Sequence, residues 1–93
     1  MRKIKYTKQF KRDYKREKRG IHGAKLSSLL SKIIDMLITD VILPESLHDH
    51  ALVSNWDGFR DCHVKPNLVL IYKKTRVNTL ELLRLGSHSE LGF

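Results

Sequence analysis

A single cysteine, Cys62, stands among the 93 residues, which excludes a fold stapled by intramolecular disulfides. No apolar run approaches the ~20 residues that span a bilayer as a helix. The opening MRKIKYTKQF carries charge but no apolar stretch, so it does not read as a signal peptide. A soluble, cytoplasmic protein is expected. Two prolines and five glycines leave no room for a linker or a low-complexity segment, and no internal repeat is visible. A single domain over residues 1–93 is expected. Acidic residues are scarce at one end. Residues 1–25 hold 11 Lys and Arg against 2 acids, a net of +9, while residues 26–93 hold 7 against 8, a net of −1. A basic block of this density is the footprint of a nucleic acid or an acidic protein partner, or else a solvated helix face.

The apolar pattern predicts an α+β fold in the order β-α-α-β-β-β. RKIKY (2–6) alternates as a strand does. Thr7 is placed to cap a helix over 8–19, with Phe10 and Tyr14 on one narrow face and Gly20 just past its end. Residues 24–39 carry the clearest helical period, with Leu26, Leu29, Leu30, Ile33, Ile34, Leu37 and Ile38 on one face. Residues 40–58 show no period and read as an ordered loop, held by Leu47, Leu52 and Trp56. Three strands follow at 59–65, 68–73 and 79–85, the first two joined through Pro66 and Asn67. A mainly antiparallel, twisted sheet is expected, with both helices on one face and the other face partly open.

Histidines are placed where this pattern does not need them. His50 lies on the long loop, His63 on the first strand of the meander, on the same face as Asp61, and His88 just beyond the last strand. Imidazole is the side chain best suited to move protons near neutral pH. Their convergence at one end of the open face is expected, and with the basic block it points to acid–base chemistry on RNA. His22 and His48 are assigned no role. His48, His50 and Cys62 or His63 are ligand types that zinc accepts, but the spacing is not that of a zinc finger. No metal and no cofactor is expected. Cys62 reads as a small buried hydrophobe.

The run DHALVSNWDGFRDCHVKPNLVLIYK, followed by LLRLGSHSEL, resembles the YafQ-type members of the RelE/ParE toxin superfamily, the toxins of bacterial type II toxin–antitoxin pairs. The resemblance is most specific from Asp49 to Leu91. It implies the RelE-like microbial RNase fold and a ribosome-dependent endoribonuclease that cuts messenger RNA. It implies catalytic roles for His50, His63, His88, Asp61 and Arg84, and for the position of Asn67. It also implies an antitoxin partner, DinJ-like and of ribbon-helix-helix type, through which alone operator DNA would be bound. Ribosome and messenger RNA would be the targets, with no membrane involved.

On this expectation His50 and His63 are the base and its neighbour, tuned by Asp61. His88 is the acid or a phosphate donor, and Arg84 neutralises the phosphate. Lys8, Lys11, Arg12, Lys15 and Arg16 grip RNA from the basic helix. Arg60, Lys65 and Phe93 add contacts nearer the cut. Two departures from the family pattern stand out. Asn67 replaces the acid that commonly follows the proline of HV-x-P, and Gly92 displaces Phe93 by one position. They favour the alternative of a catalytically weakened toxin-fold binder that acts with its antitoxin as a DNA-binding corepressor. The gyrase-poisoning branch of the superfamily lacks this histidine set.

Overall fold

The computed structural model describes residues 1–52 and 58–92. Strand β1 (Lys3–Tyr6) leads into helix α1 (Lys8–Lys18) and helix α2 (Gly23–Ile38). A single 3-10 turn (Glu45–Leu47) and a two-residue strand β2 (His50–Ala51) come next, then β3 (Arg60–Lys65), β4 (Leu68–Lys74) and β5 (Thr79–Gly86). The expected element order holds, with one addition: the aperiodic loop contributes β2, which pairs antiparallel with β3. Two residues are too short to show an alternation. Trp56, expected to anchor this loop, and Phe93 lie outside the described residues.

The five strands lie in the order β1-β5-β4-β3-β2. The β3-β4-β5 meander is antiparallel, and β1 runs parallel to β5, with Ile4 opposite Leu80. A parallel pair needs a long crossover, and the two helices supply it. Thr7 caps α1 as its spacing predicts, its side chain accepting from the Phe10 N–H. The same hydroxyl donates toward the carbonyls of Leu82 and Leu83, which ties the helix start to β5 where β1 ends.

The main core lies between the helices and one sheet face. Leu26, Leu30, Ile33 and Leu37 of α2 and Phe10 of α1 meet Cys62, Leu70, Tyr72, Leu80, Leu82 and Leu85. Full burial of one such side chain is worth roughly 1.5–3 kcal/mol. Gly23, at the start of α2, is required by contact: a Cβ there would sit 2.0 Å from the Lys18 carbonyl oxygen. β4 is buried on both faces, as its unbroken apolar run predicts. The second face, expected to be partly open, carries a smaller cluster of its own, Val69, Ile71 and Leu91, with the partly buried Leu52, Phe59 and Leu83 packed against it. Leu52 and Leu91 come from loop and turn segments, where no period marks a residue as core.

Among the described residues no helix is long and apolar enough to cross a membrane.

Candidate active site

The strand register builds the site. His50 of β2 stands opposite Asp61 of β3, and Asp61 stands opposite Ile71 of β4. One row along, His63 of β3 faces Val69, which in turn faces Gly86 of β5, and His88 follows two residues later. Directly opposed residues share a face of the sheet. Asp61 and His63 therefore lie on the face away from the helices, bordering the second apolar cluster. The expected alternation of Asp61 and His63 against Cys62 and Val64 is what the burial shows: Cys62 and Val64 face the main core.

Imidazoles gather there. The His63 and His88 rings approach edge to face with centroids 5.1 Å apart. The His48 ring lies 5.2 Å from that of His63 on another side. His48, assigned no role from sequence, is thus part of the cluster. The signal available was its place two residues before His50 in the HDH run. His48 adopts a left-handed backbone conformation after the 3-10 turn, with φ 49° and ψ 42°. His50 Nδ1 donates to the His48 carbonyl at 2.8 Å and lies 3.1 Å from Asp61 Oδ1. With Nδ1 carrying the proton, Nε2 of His50 is left as an acceptor.

Asp61 is the buried charge beneath these rings, 3 % exposed. Burial pushes its carboxyl above the usual aspartate range, and the positive charge of His50, His63 and His88 pulls the other way. Its Oδ1 has no aligned hydrogen bond among the described residues, although His50 Nδ1 is close. Burial lowers the His63 pKa, opposed by Asp61 and reinforced by the neighbouring charges of His88, His48 and His50. The neutral form of His63 is thereby favoured by its surroundings.

The turn that bears His88 has its own brace. The Ser87 N–H donates to Glu90 Oε1 at 2.9 Å, and the Glu90 N–H donates to Ser87 Oγ at 3.2 Å. This is the reciprocal capping pattern of S-x-x-E, formed here by SHSE. Arg16 of α1 lies 3.1 Å from Glu90 and also reaches Asp13, Glu17 and the Leu85 carbonyl. It was expected on the RNA surface; the structure commits it to holding α1, β5 and the His88 turn together.

Arg84 occupies the row of Asp61 and Ile71, but Asp13 of α1 takes its guanidinium, with Nε donating at 2.7 Å. Arg60 is likewise engaged, with both Nε and Nη2 donating to Asp49 at 3.3 Å. Asn67 is exposed in the two-residue turn after Lys65. Lys8, Lys11, Arg12 and Lys15 are exposed along α1, as a cationic surface requires.

Cys62 is fully buried, and burial pushes its thiol up to about 12, so it offers neither nucleophile nor ready ligand. Among the described residues, no three His, Cys, Asp or Glu side chains form a group fit to hold a metal ion.

The profile of a family described as bacterial toxin of type II toxin–antitoxin system, YafQ, matches residues 2–92. The chain belongs to the YafQ family. It is 40% identical over 91 residues to the mRNA interferase toxin YafQ of Escherichia coli strain B, covering 97% of this chain and 95% of that protein. A metal-bound toxin from Helicobacter pylori is 41% identical and superposes with a TM-score of 0.85 over 98% of this chain and 99% of its own. The toxin fold of the E. coli DinJ–YafQ complex matches at 34% identity and a TM-score of 0.81 over the full length of both chains. The expected family and the expected fold are therefore both found.

Proposed function

We propose that this YafQ-family chain is the toxin of a type II toxin–antitoxin pair and cuts messenger RNA on the ribosome, in the cytoplasm, by histidine acid–base catalysis. The observation that carries the reading is the ring of His50, His63 and His88 around one buried carboxylate, Asp61. RNA brings its own nucleophile, the 2′-OH, so a base, an acid and charge stabilisation on the phosphate suffice without a metal. His50, with Nδ1 tied to the His48 carbonyl, offers Nε2 to take the 2′-OH proton. His88 gives a proton to the departing 5′-oxygen. His63 donates a hydrogen bond between them, and Asp61 stabilises whichever imidazolium forms. Arg84 meets the phosphate with N–H groups that Asp13 leaves over. Each proton-transfer role supplies on the order of 10²–10⁴-fold, about 3–5 kcal/mol of barrier.

The partners follow the same reading. The names of the solved E. coli complexes support a DinJ-like antitoxin. A groove of about 580 Å³ between β1, α1 and α2, lined by Ile4, Tyr6, Phe10, Tyr14, Leu30 and Ile34 with Lys11 and Lys15 at its rim, suits an acidic amphipathic segment of that partner. Operator DNA is reached only through the antitoxin.

The test is primer extension on translating ribosomes with His50→Ala, His63→Ala and His88→Ala. New 3′ ends inside codons are expected from the parent, with a loss of at least about 10²-fold in each variant. Full cutting by all three variants overturns the reading. Ribosome binding with no cuts by the parent supports the corepressor alternative, which the Asn67 amide favours because it cannot transfer a proton as a carboxyl does.

A further inference from the structure

We propose that Asp49 is a positioning residue for the histidine loop, a clamp that fixes His48 and His50 by anchoring the residue between them to the buried hydroxyl of Tyr72. This rests on the catalytic reading above and adds to it the device that sets the base in place.

The HDH segment has little else to hold it. It enters the sheet through only two paired residues, His50 opposite Asp61 and Ala51 opposite Arg60. Its two histidines are exposed, so packing does not fix their angles. Asp49 is turned the other way. Its Oδ1 accepts from Tyr72 Oη at 2.5 Å, and its two oxygens accept the two N–H groups of Arg60 at 3.3 Å. Both donors stand on the central strands and directly opposite each other, Arg60 on β3 and Tyr72 on β4. Tyr72 is 1 % exposed and belongs to the main core. Its hydroxyl therefore carries the rigidity of the sheet interior to a surface loop. His48 and His50, on either side of the clamped residue, meet His63 and Asp61 respectively.

The energetic logic is that of orientation. An ångström of misplacement at a reacting group costs on the order of 10²-fold in rate. Tyr72, being buried, does not touch RNA, so a loss of rate on removing its hydroxyl travels through the groups that meet it, Asp49 and Arg60, and the His50→Ala background separates the two. Arg60 supports the same carboxylate with its two N–H groups.

The experiment compares Asp49→Ala, Asp49→Asn, Tyr72→Phe and His50→Ala with the parent in single-turnover cleavage on programmed ribosomes. Each is also combined with His50→Ala. Asp49→Ala and Tyr72→Phe are expected to lower the cleavage rate about 10- to 100-fold, with the ribosome concentration for half-maximal rate unchanged. Asp49→Asn, which keeps an oxygen for the Tyr72 hydroxyl, is expected to recover part of the rate. In the His50→Ala background neither change should lower the rate further, because a positioning residue acts only through the group it positions. Two results overturn the proposal: parental rates for Tyr72→Phe and Asp49→Ala, or losses that multiply fully with that of His50→Ala. Tyr72→Phe keeps the ring that fills the core, so it serves if Asp49→Ala does not fold. A fully active His50→Ala instead brings down the catalytic reading and is distinguished by that variant alone.

Discussion

Replacing Asp13 tests the electrostatic joint between α1 and β5. Its carboxylate is 3 % exposed and accepts four hydrogen bonds: from Arg84 Nε at 2.7 Å and Nη2 at 3.4 Å, Arg16 Nη1 at 2.9 Å and the Leu85 N–H at 3.0 Å. β1 stops at Tyr6, opposite Leu82, so Leu85 has no strand neighbour on that side and Asp13 replaces one. Asp13→Ala strands the Leu85 N–H, a cost of about 1–3 kcal/mol. It also leaves two guanidinium groups without their acceptor. Because Arg16 and Arg84 keep side-chain exposures of 43% and 23%, water takes back part of that loss, and about 1 kcal/mol each is a fair discount. The sum, about 3–5 kcal/mol, matches the cost of breaking a buried ion pair from one side. In a domain of this size that lowers Tm by roughly 15 °C or more. Asp13→Asn keeps an oxygen for Leu85 and should lose about half as much. The pH dependence has a fixed sign. Burial raises the Asp13 pKa, but the bonds from Arg84 and the Leu85 N–H and the charges of Arg84 and Arg16 outweigh it and leave it below the usual value. Its contribution is therefore complete above the ordinary aspartate range and is lost as pH falls through it, and Asp13→Asn should remove that part of the acid loss. Circular dichroism melts of the three proteins between neutral and acid pH decide the matter. A shift for Asp13→Ala of less than about 5 °C, equivalent to ~1 kcal/mol, would refute the reasoning.

Asp61→Asn should have the opposite effect on stability. The folded-state pKa of Asp61 lies above its unfolded value because of burial, so stability falls as pH rises through that interval, and the amide should melt higher than the parent at neutral pH, by a few degrees for ~1 kcal/mol, while cleavage drops by about 10²-fold or more. Lower melting together with unchanged cleavage would contradict the assignment. Lys11, Arg12 and Lys15 replaced together should weaken ribosome binding and reduce its salt slope by about 2 if each neutralises one phosphate at roughly 0.7 apiece, leaving the cleavage rate at saturation unchanged. A salt slope equal to that of the parent would remove α1 from the RNA interface. Arg16 is left out of this set because it braces the His88 turn.

Periodic segments were legible from sequence because burial on one face imposes a repeat: α2, β4 and the cap at Thr7 all fall where the pattern places them. The gathering of His50, His63 and His88 with Asp61 was legible through motif spacing and strand alternation. What stayed hidden has a common cause. Asp13, Arg16, Arg60 and Asp49 are charged residues whose partners lie far along the chain, Asp13 and Arg84 being 71 residues apart, and no local period records such pairing. On a helix with a dense basic face, Arg16 cannot be told from Lys15 by composition, yet one is fastened to the sheet edge and the other lines the groove. Leu52 was expected to pack its loop on the body, but that it joins Phe59 and Leu91 in a second apolar cluster was not legible, since these are single contacts from separate segments.

The parallel pairing of β1 with β5 sets a condition on assembly. Residues 3–6 have no strand to pair with until residues 79–86 exist to fill the space between β1 and β4, and until then the helices lack the β5 part of their core. Contacts that distant close slowly and together. A product of interrupted synthesis that stops before β5 would display the whole cationic α1 but neither a closed core nor the segment bearing His88. Completeness of the chain is thus a gate on harm: fragments can adhere to polyanions, and only the finished molecule holds the arrangement assigned to cutting.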